Sequence, residues 1–132
     1  MNDEKQRDLG LLVLRAGIGA MFVGHGLPKL LGGPQRWTTV GEAMAYLGLD
    51  FAPAFWGLCA GLAECVGGLL LAAGVAFRPA CAALLFTMIV ASTRHLVAGD
   101  GFGKSSHAIE AAILFLSLLW IGPGRYRLRR SG

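Results

Sequence analysis

Charge is in short supply in this chain. Only 15% of its 132 residues are Asp, Glu, Lys or Arg, against 55% hydrophobic. A soluble domain this short has too much surface to hide that much apolar side chain, so the shortage of charge argues against an ordinary water-soluble fold and for a bilayer as solvent. Cysteine is scarce as well: Cys59, Cys65 and Cys81 all fall inside apolar runs. No CxxC pair, CxxCH haem motif or iron–sulfur array is present, which leaves the thiols as small packing residues. A GxGxxG nucleotide fingerprint is missing too. No A-x-A-like site directly follows the first apolar run, so that run is expected to be retained rather than cleaved. Glycine is the exception to this scarcity. Its 20 residues suit membrane helices that approach closely.

Four apolar stretches are long enough to cross a hydrocarbon core of about 30 Å. They run at about 9–31, 52–75, 79–97 and 105–121 of a single domain covering residues 1–132. The first connection, near twenty residues, is the long one. "FRP" forms a tight turn that places Pro79 at a helix start, and Ser105 or Ser106 is positioned to cap the fourth span. Short connections make neighbouring helices antiparallel, so the expected fold is all-α, an integral membrane four-helix bundle. Gly57 and Gly61 form a small-xxx-small pair, with Gly68 one heptad beyond Gly61 on nearly the same face.

The +4 net charge gathers at the C-terminus, where "GRYRLRR" carries Arg125, Arg127, Arg129 and Arg130. Beside a membrane span such a tail reads as a topology signal touching anionic headgroups rather than as a nucleic-acid site. Lys5, Arg7 and Arg78 share its side, so the positive-inside rule puts both termini in the cytoplasm of a multi-pass protein of the cell membrane.

The informative residues are the ionisable ones left inside the spans. At 1.5 Å per residue Glu64 falls near the midplane and Glu110 about 5 Å towards the loops. His25, Arg94, His95 and His107 fall about 8–10 Å out, with Lys29 beyond them near the interface. Charges in lipid are costly, so groups arriving at one depth from four helices are expected to face inward and pair. His107 and Glu110 share a helix face. Lys29 reads as an interfacial residue that snorkels to the headgroups at the mouth of a polar pocket, with Glu64 as its floor. Arg15 is the outlier, a structural charge leaning towards the cytoplasmic end, where it snorkels or reaches Glu64. A metal at His25, Glu64, His107 and Glu110 is not expected, because no dense ligand motif supports it.

"LRAGIGAMFVGHGLPKLLG", "AGLAECVGGLLLAAGVAFRPA" and "IGPGRYRL" together give Arg, Gly, His-Gly and Lys, then Glu-x-x-Gly-Gly, then a terminal Gly-Pro-Gly-Arg-Tyr. In that order the chain resembles the DoxX family of small four-helix membrane proteins over nearly its whole length. One departure is the tail, "RYRLRR" where members often have "RYSLD". The resemblance implies a membrane subunit of a redox system, similar in some members to subunits of a thiosulfate:quinone oxidoreductase and in others associated with soluble thiol and superoxide enzymes.

On that footing the expected function is a quinone-interacting redox subunit, with quinone as substrate rather than resident cofactor. His25, Arg94, His95 and Lys29 would bind the quinone or substrate, and Lys29 and Arg94 a sulfur anion if the resemblance extends that far. Glu64, Glu110 and His107 would carry the catalytic proton transfers. A protein partner in a redox complex, or the substrate, must then supply the electrons. The alternatives are a non-catalytic membrane anchor for a redox enzyme and a small transporter, which would need a homo-oligomer.

Overall fold

A computed structural model of the chain describes residues 1–128; Arg129 and Arg130 of the basic tail lie outside the described residues. Its elements are α1 (Asp3–Leu31), α2 (Gly33–Gly41), a 3-10 helix (Glu42–Leu47), α3 (Pro53–Ala73), α4 (Phe77–Val97) and α5 (Phe102–Ile121). No strand occurs among the described residues, and α1, α3, α4 and α5 are each long and apolar enough to cross a membrane. The all-α four-span expectation is met. The direction of the spans is a separate matter, and the two ends are named below by what they carry: the terminal side and the loop side.

Local chemistry sets the helix ends. Asn2 caps α1 by accepting from Lys5 N at 3.1 Å, and Asp3 and Glu4 favour the same end through the helix dipole. Pro28 is accommodated in the last turn of α1, and Gly33 at φ +74° breaks the chain into α2. α3 stops at Gly74, φ +72°, which forms a left-handed C-cap. The "FRP" segment is helical, so α4 begins at Phe77 and Pro79 sits inside its first turn. α5 begins before the two serines, at Phe102, so neither caps it. Instead Ser105 Oγ donates to Gly101 O at 2.9 Å and Ser106 Oγ to Gly103 O at 3.2 Å.

The long first connection is folded rather than open. α2 and the 3-10 helix lie against the first turns of α3, where two glycines let backbones touch. A Cβ on Gly41 would sit 1.6 Å from Pro53 O, and one on Gly57 1.7 Å from Trp37 O. The α1–α3 contact is built the same way. Cβ atoms on Gly19 and Gly68 would lie 2.5 and 2.6 Å from each other's carbonyl oxygen, and one on Gly26 would lie 2.5 Å from Cys65 N. Gly57, Gly61 and Gly68 are therefore contact positions, Gly57 for α2 and the other two for α1.

α1 and α5 close the bundle through side chains. Phe22 meets Phe115 edge to face, centroids 5.0 Å apart, over a core that includes Leu71, Leu84 and Leu118. At the terminal side the "GPGRYRL" segment folds back over the helix ends. Arg15, 1% exposed, donates to Pro123 O at 2.7 Å and to Tyr126 O. Asp8 accepts from Arg125 N at 3.3 Å, and Leu128 N donates to Ala73 O at 3.0 Å. Arg15 neither snorkels nor reaches Glu64. Its side chain leans towards the start of its own helix, and there the returning tail supplies carbonyls.

Candidate functional site

The loop-side half of the bundle encloses a cavity of about 410 Å³ between α2, the 3-10 helix, α3 and α4. Its apolar wall includes Met44, Trp56, Ala63, Phe86 and Val90; its polar lining includes Lys29, Arg36, Thr39, Glu64, Thr87, Arg94 and His95.

Glu64 lies in the middle of α3 and is 2% exposed. Lys29 Nζ donates to both of its carboxylate oxygens at 2.7 Å. Helix geometry produces this pair. α1 and α3 run antiparallel and nearly touch at Gly26 and Gly61. Helical side chains lean towards the N-terminus of their own helix. Lys29 therefore points back into the bundle while Glu64 points out to meet it. The expectation that Lys29 snorkels to the headgroups is corrected on this ground: its Cα–Cβ direction leads inward, and a buried carboxylate waits there.

At the mouth of the cavity His95 Nδ1 pairs with Asp100 Oδ2 at 2.8 Å. That hydrogen bond is the main reason the Asp100 carboxyl is held below its ordinary range, with the positive charge of Lys104 adding to it. Arg94, also expected at the site, lines the cavity and makes no ion pair among the described residues.

The other three expected residues lie elsewhere. His25, His107 and Glu110 are exposed on the outside of the bundle and do not line the cavity. His25 stacks edge to face on Phe22, centroids 5.8 Å apart. Depth along a helix was the basis for grouping them, and depth does not fix the side of the helix on which a residue projects. On α5 the core-facing stripe is Ala108, Phe115 and Leu118, and Glu110 falls off it.

Sequence reasoning missed the contributions of the first connection, above all Arg36, Thr39 and Met44. It also missed Trp56, whose Nε1 is buried with no hydrogen-bond partner among the described residues. The available signal was the connection itself, since long links inside compact domains tend to carry structure or function. Cys59 was read as packing and lines the cavity as a free thiol. No group of three or more His, Cys, Asp or Glu among the described residues is arranged to hold a metal ion.

In chemical terms the chamber offers apolar walls, one ion pair at the floor and cationic side chains nearer the loops. Such a space suits a flat, largely apolar ligand with polar atoms on its edge, and its volume falls within the range of small-molecule sites.

Comparison with known families identifies DoxX, whose profile matches residues 10–96. That span takes in every residue lining the cavity, from Lys29 to His95, and stops short of α5. No curated protein and no solved structure matches the chain. With most of its length matched and four helices able to cross a bilayer, the chain belongs to the DoxX family and is a multi-pass membrane protein.

Proposed function

We propose that this DoxX-family membrane protein is a quinone-interacting subunit of a redox system, and that the loop-side cavity receives the quinone ring. The observation that carries the reading is the Lys29–Glu64 pair at the floor of an apolar chamber open to further donors. A quinone ring packs against Phe86, Met44 and Val90, and its carbonyl oxygens accept from Arg94 and from the unspent Nε1 of Trp56. Reduction to the quinol takes two electrons and two protons. As negative charge develops on a ring oxygen, the Lys29 ammonium stabilises it and delivers the first proton; the neutral amine, beside a Glu64 carboxylate now without its counter-charge, takes up a proton from water at the loop-side mouth and delivers it as the second. The electrons come from a reductant bound alongside or from a protein partner, since the sequence carries no haem, iron–sulfur or nucleotide motif.

The test is binding of a short-chain quinone to the purified protein in lipid nanodiscs, read by protection of Cys59 from alkylation in a Cys65→Ala, Cys81→Ala background. Glu64→Gln and Arg94→Ala are each expected to weaken binding by about tenfold, the effect of losing one charged hydrogen bond. His25→Ala, outside the cavity, is expected to leave it unchanged. Folded variants that bind as the parent does would overturn the quinone reading.

One observation favours a second reading. The Lys29–Glu64 pair bridges α1 and α3, so it also fixes helix register, as a non-catalytic anchor for a redox enzyme would need. The anchor reading predicts that Glu64→Gln loses stability and that neither variant alters a ligand equilibrium.

A further inference from the structure

The exposed polar residues of α1 and α5 pose a problem that the cavity does not solve. Glu110 lies eight residues into α5, about 12 Å along a helix of 20 residues, and it projects away from the core. His107, one turn before it, is also exposed. His25 lies six residues before the end of α1, about 9 Å from it, and is exposed near the seam where Phe22 meets Phe115. Facing hydrocarbon, a carboxylate at this depth has no water, and Glu110 makes no ion pair with His107 or any other of the described residues. Ionisable groups in membrane helices normally turn inward or pair.

We infer that the α1–α5 side of the bundle is an interface with a second copy of this chain, in which Glu110 of each copy accepts a hydrogen bond from a histidine of the other. Charge complementarity selects this occupant. One acid and two imidazoles lie in the loop-side half of these two helices, Glu110 and His107 one turn apart on α5 and His25 beside the Phe22–Phe115 seam on α1. A twofold axis along the membrane normal preserves depth, so it brings the acid of one copy level with the bases of the other. The surroundings are apolar enough to pack: Ile113, one turn from Glu110, is 60% exposed, and Met21, one turn from His25, is 60% exposed. Both copies keep the loop-side cavity, which α5 does not line, so the interface stands independently of what the cavity binds.

The experiment uses the full chain in lipid vesicles. Subunits are counted by single-molecule photobleaching over a range of protein-to-lipid ratios. Cross-linking is followed in a cysteine-free background (Cys59, Cys65 and Cys81 each replaced by Ala) carrying either Ser117→Cys, two turns beyond Glu110 on the same exposed face of α5, or Leu62→Cys on the exposed face of α3. The expected result is two copies per particle at high density and a covalent dimer through position 117 but not through position 62. Glu110→Gln, checked for retained helicity, is expected to raise the dimer dissociation constant by about tenfold, the scale of one polar contact between membrane helices. Single copies at every density would overturn the proposal, as would cross-linking through position 62 in place of 117 or an unchanged dissociation constant in Glu110→Gln. So would capture of a different protein at position 117 in native membranes without the homodimer. The cross-linking arm keeps glutamate at position 110, so it decides the matter even if the Gln variant fails to fold.

Discussion

Two buried charge centres stand at opposite ends of the bundle, and they are satisfied in different ways. On the terminal side Arg15 gives its two terminal amino groups to main-chain carbonyls of Pro123 and Tyr126, its buried Nε having no partner among the described residues, and the returning tail packs over it. On the loop side Lys29 gives its donors to another side chain, Glu64, and the pair borders free space. A cation held by backbone carbonyls of the returning segment holds the tail down. A pair of side chains beside a cavity can exchange a proton or accept a ligand without unfolding anything. The difference between a fixed and an exchangeable partner separates a clamp from a candidate site.

The sharpest way to break the comparison is to remove the clamp. Arg15→Ala leaves two carbonyls without a donor and a void beneath the tail, and is expected to cost about 3 kcal/mol. Thermal unfolding in detergent checks this, and ligand should neither rescue nor worsen the loss beyond simple mass action. Next in size is Gly26→Ala. Its Cβ would fall 2.5 Å from Cys65 N, a backbone atom that cannot move alone, so α1 and α3 must separate, costing about 2 kcal/mol. The same substitution should weaken quinone binding, because it pulls Lys29 away from Glu64. Gly61→Ala is expected to be milder, since its new methyl meets the flexible end of Leu30 at 2.9 Å.

A third test separates stability from function at the loop-side pair. Glu64→Gln alone takes the counter-charge from Lys29; because that side chain keeps 23% exposure and Gln keeps an acceptor oxygen, the expected loss is about 1–2 kcal/mol, below that of a fully buried broken pair. The double variant Lys29→Met, Glu64→Leu should regain most of that loss while binding no quinone. Stability regained with binding intact would reduce the pair to a clamp like Arg15. The smallest effect concerns the mouth. Because the folded Asp100 carboxyl titrates below its ordinary range, its pairing with His95 contributes at neutral pH. That contribution fades as pH falls through the lowered value. The melting temperatures of the parent and Asp100→Asn should therefore differ slightly at neutral pH and converge in acid.

The spans were legible in the sequence because four apolar runs and their breakers leave little choice once a bilayer is the solvent. The glycine contacts were legible in part, since Gly57, Gly61 and Gly68 repeat at helical spacing. What misled was treating depth as sufficient. Glu64 and Glu110 lie at similar depth, yet one meets Lys29 inside and the other faces out from α5. The azimuth of α5 depends on how it packs on α4 and on the Phe22–Phe115 contact, which no single segment encodes. Lys29 was misread for a different reason. Snorkelling is the usual course for a lysine near a helix end, but at the C-terminal end of a helix the side chain starts out pointing the wrong way for it. Arg36 was missed because it lies on α2, in a connection that reads as a loop until it packs on α3, and Trp56 because a tryptophan in the first turn of an apolar span carries no sign of which way its ring faces.

The contact between α1 and α3 has a consequence for biogenesis. Lys29 and Glu64 both belong to the first two spans, and Gly19, Gly26, Gly61 and Gly68 let those spans close on one another without help from α4 or α5. During synthesis the acid and the base can meet as soon as the second span has emerged. The membrane then receives a helical hairpin with its opposite charges already joined, instead of two helices each carrying an isolated charge into the hydrocarbon.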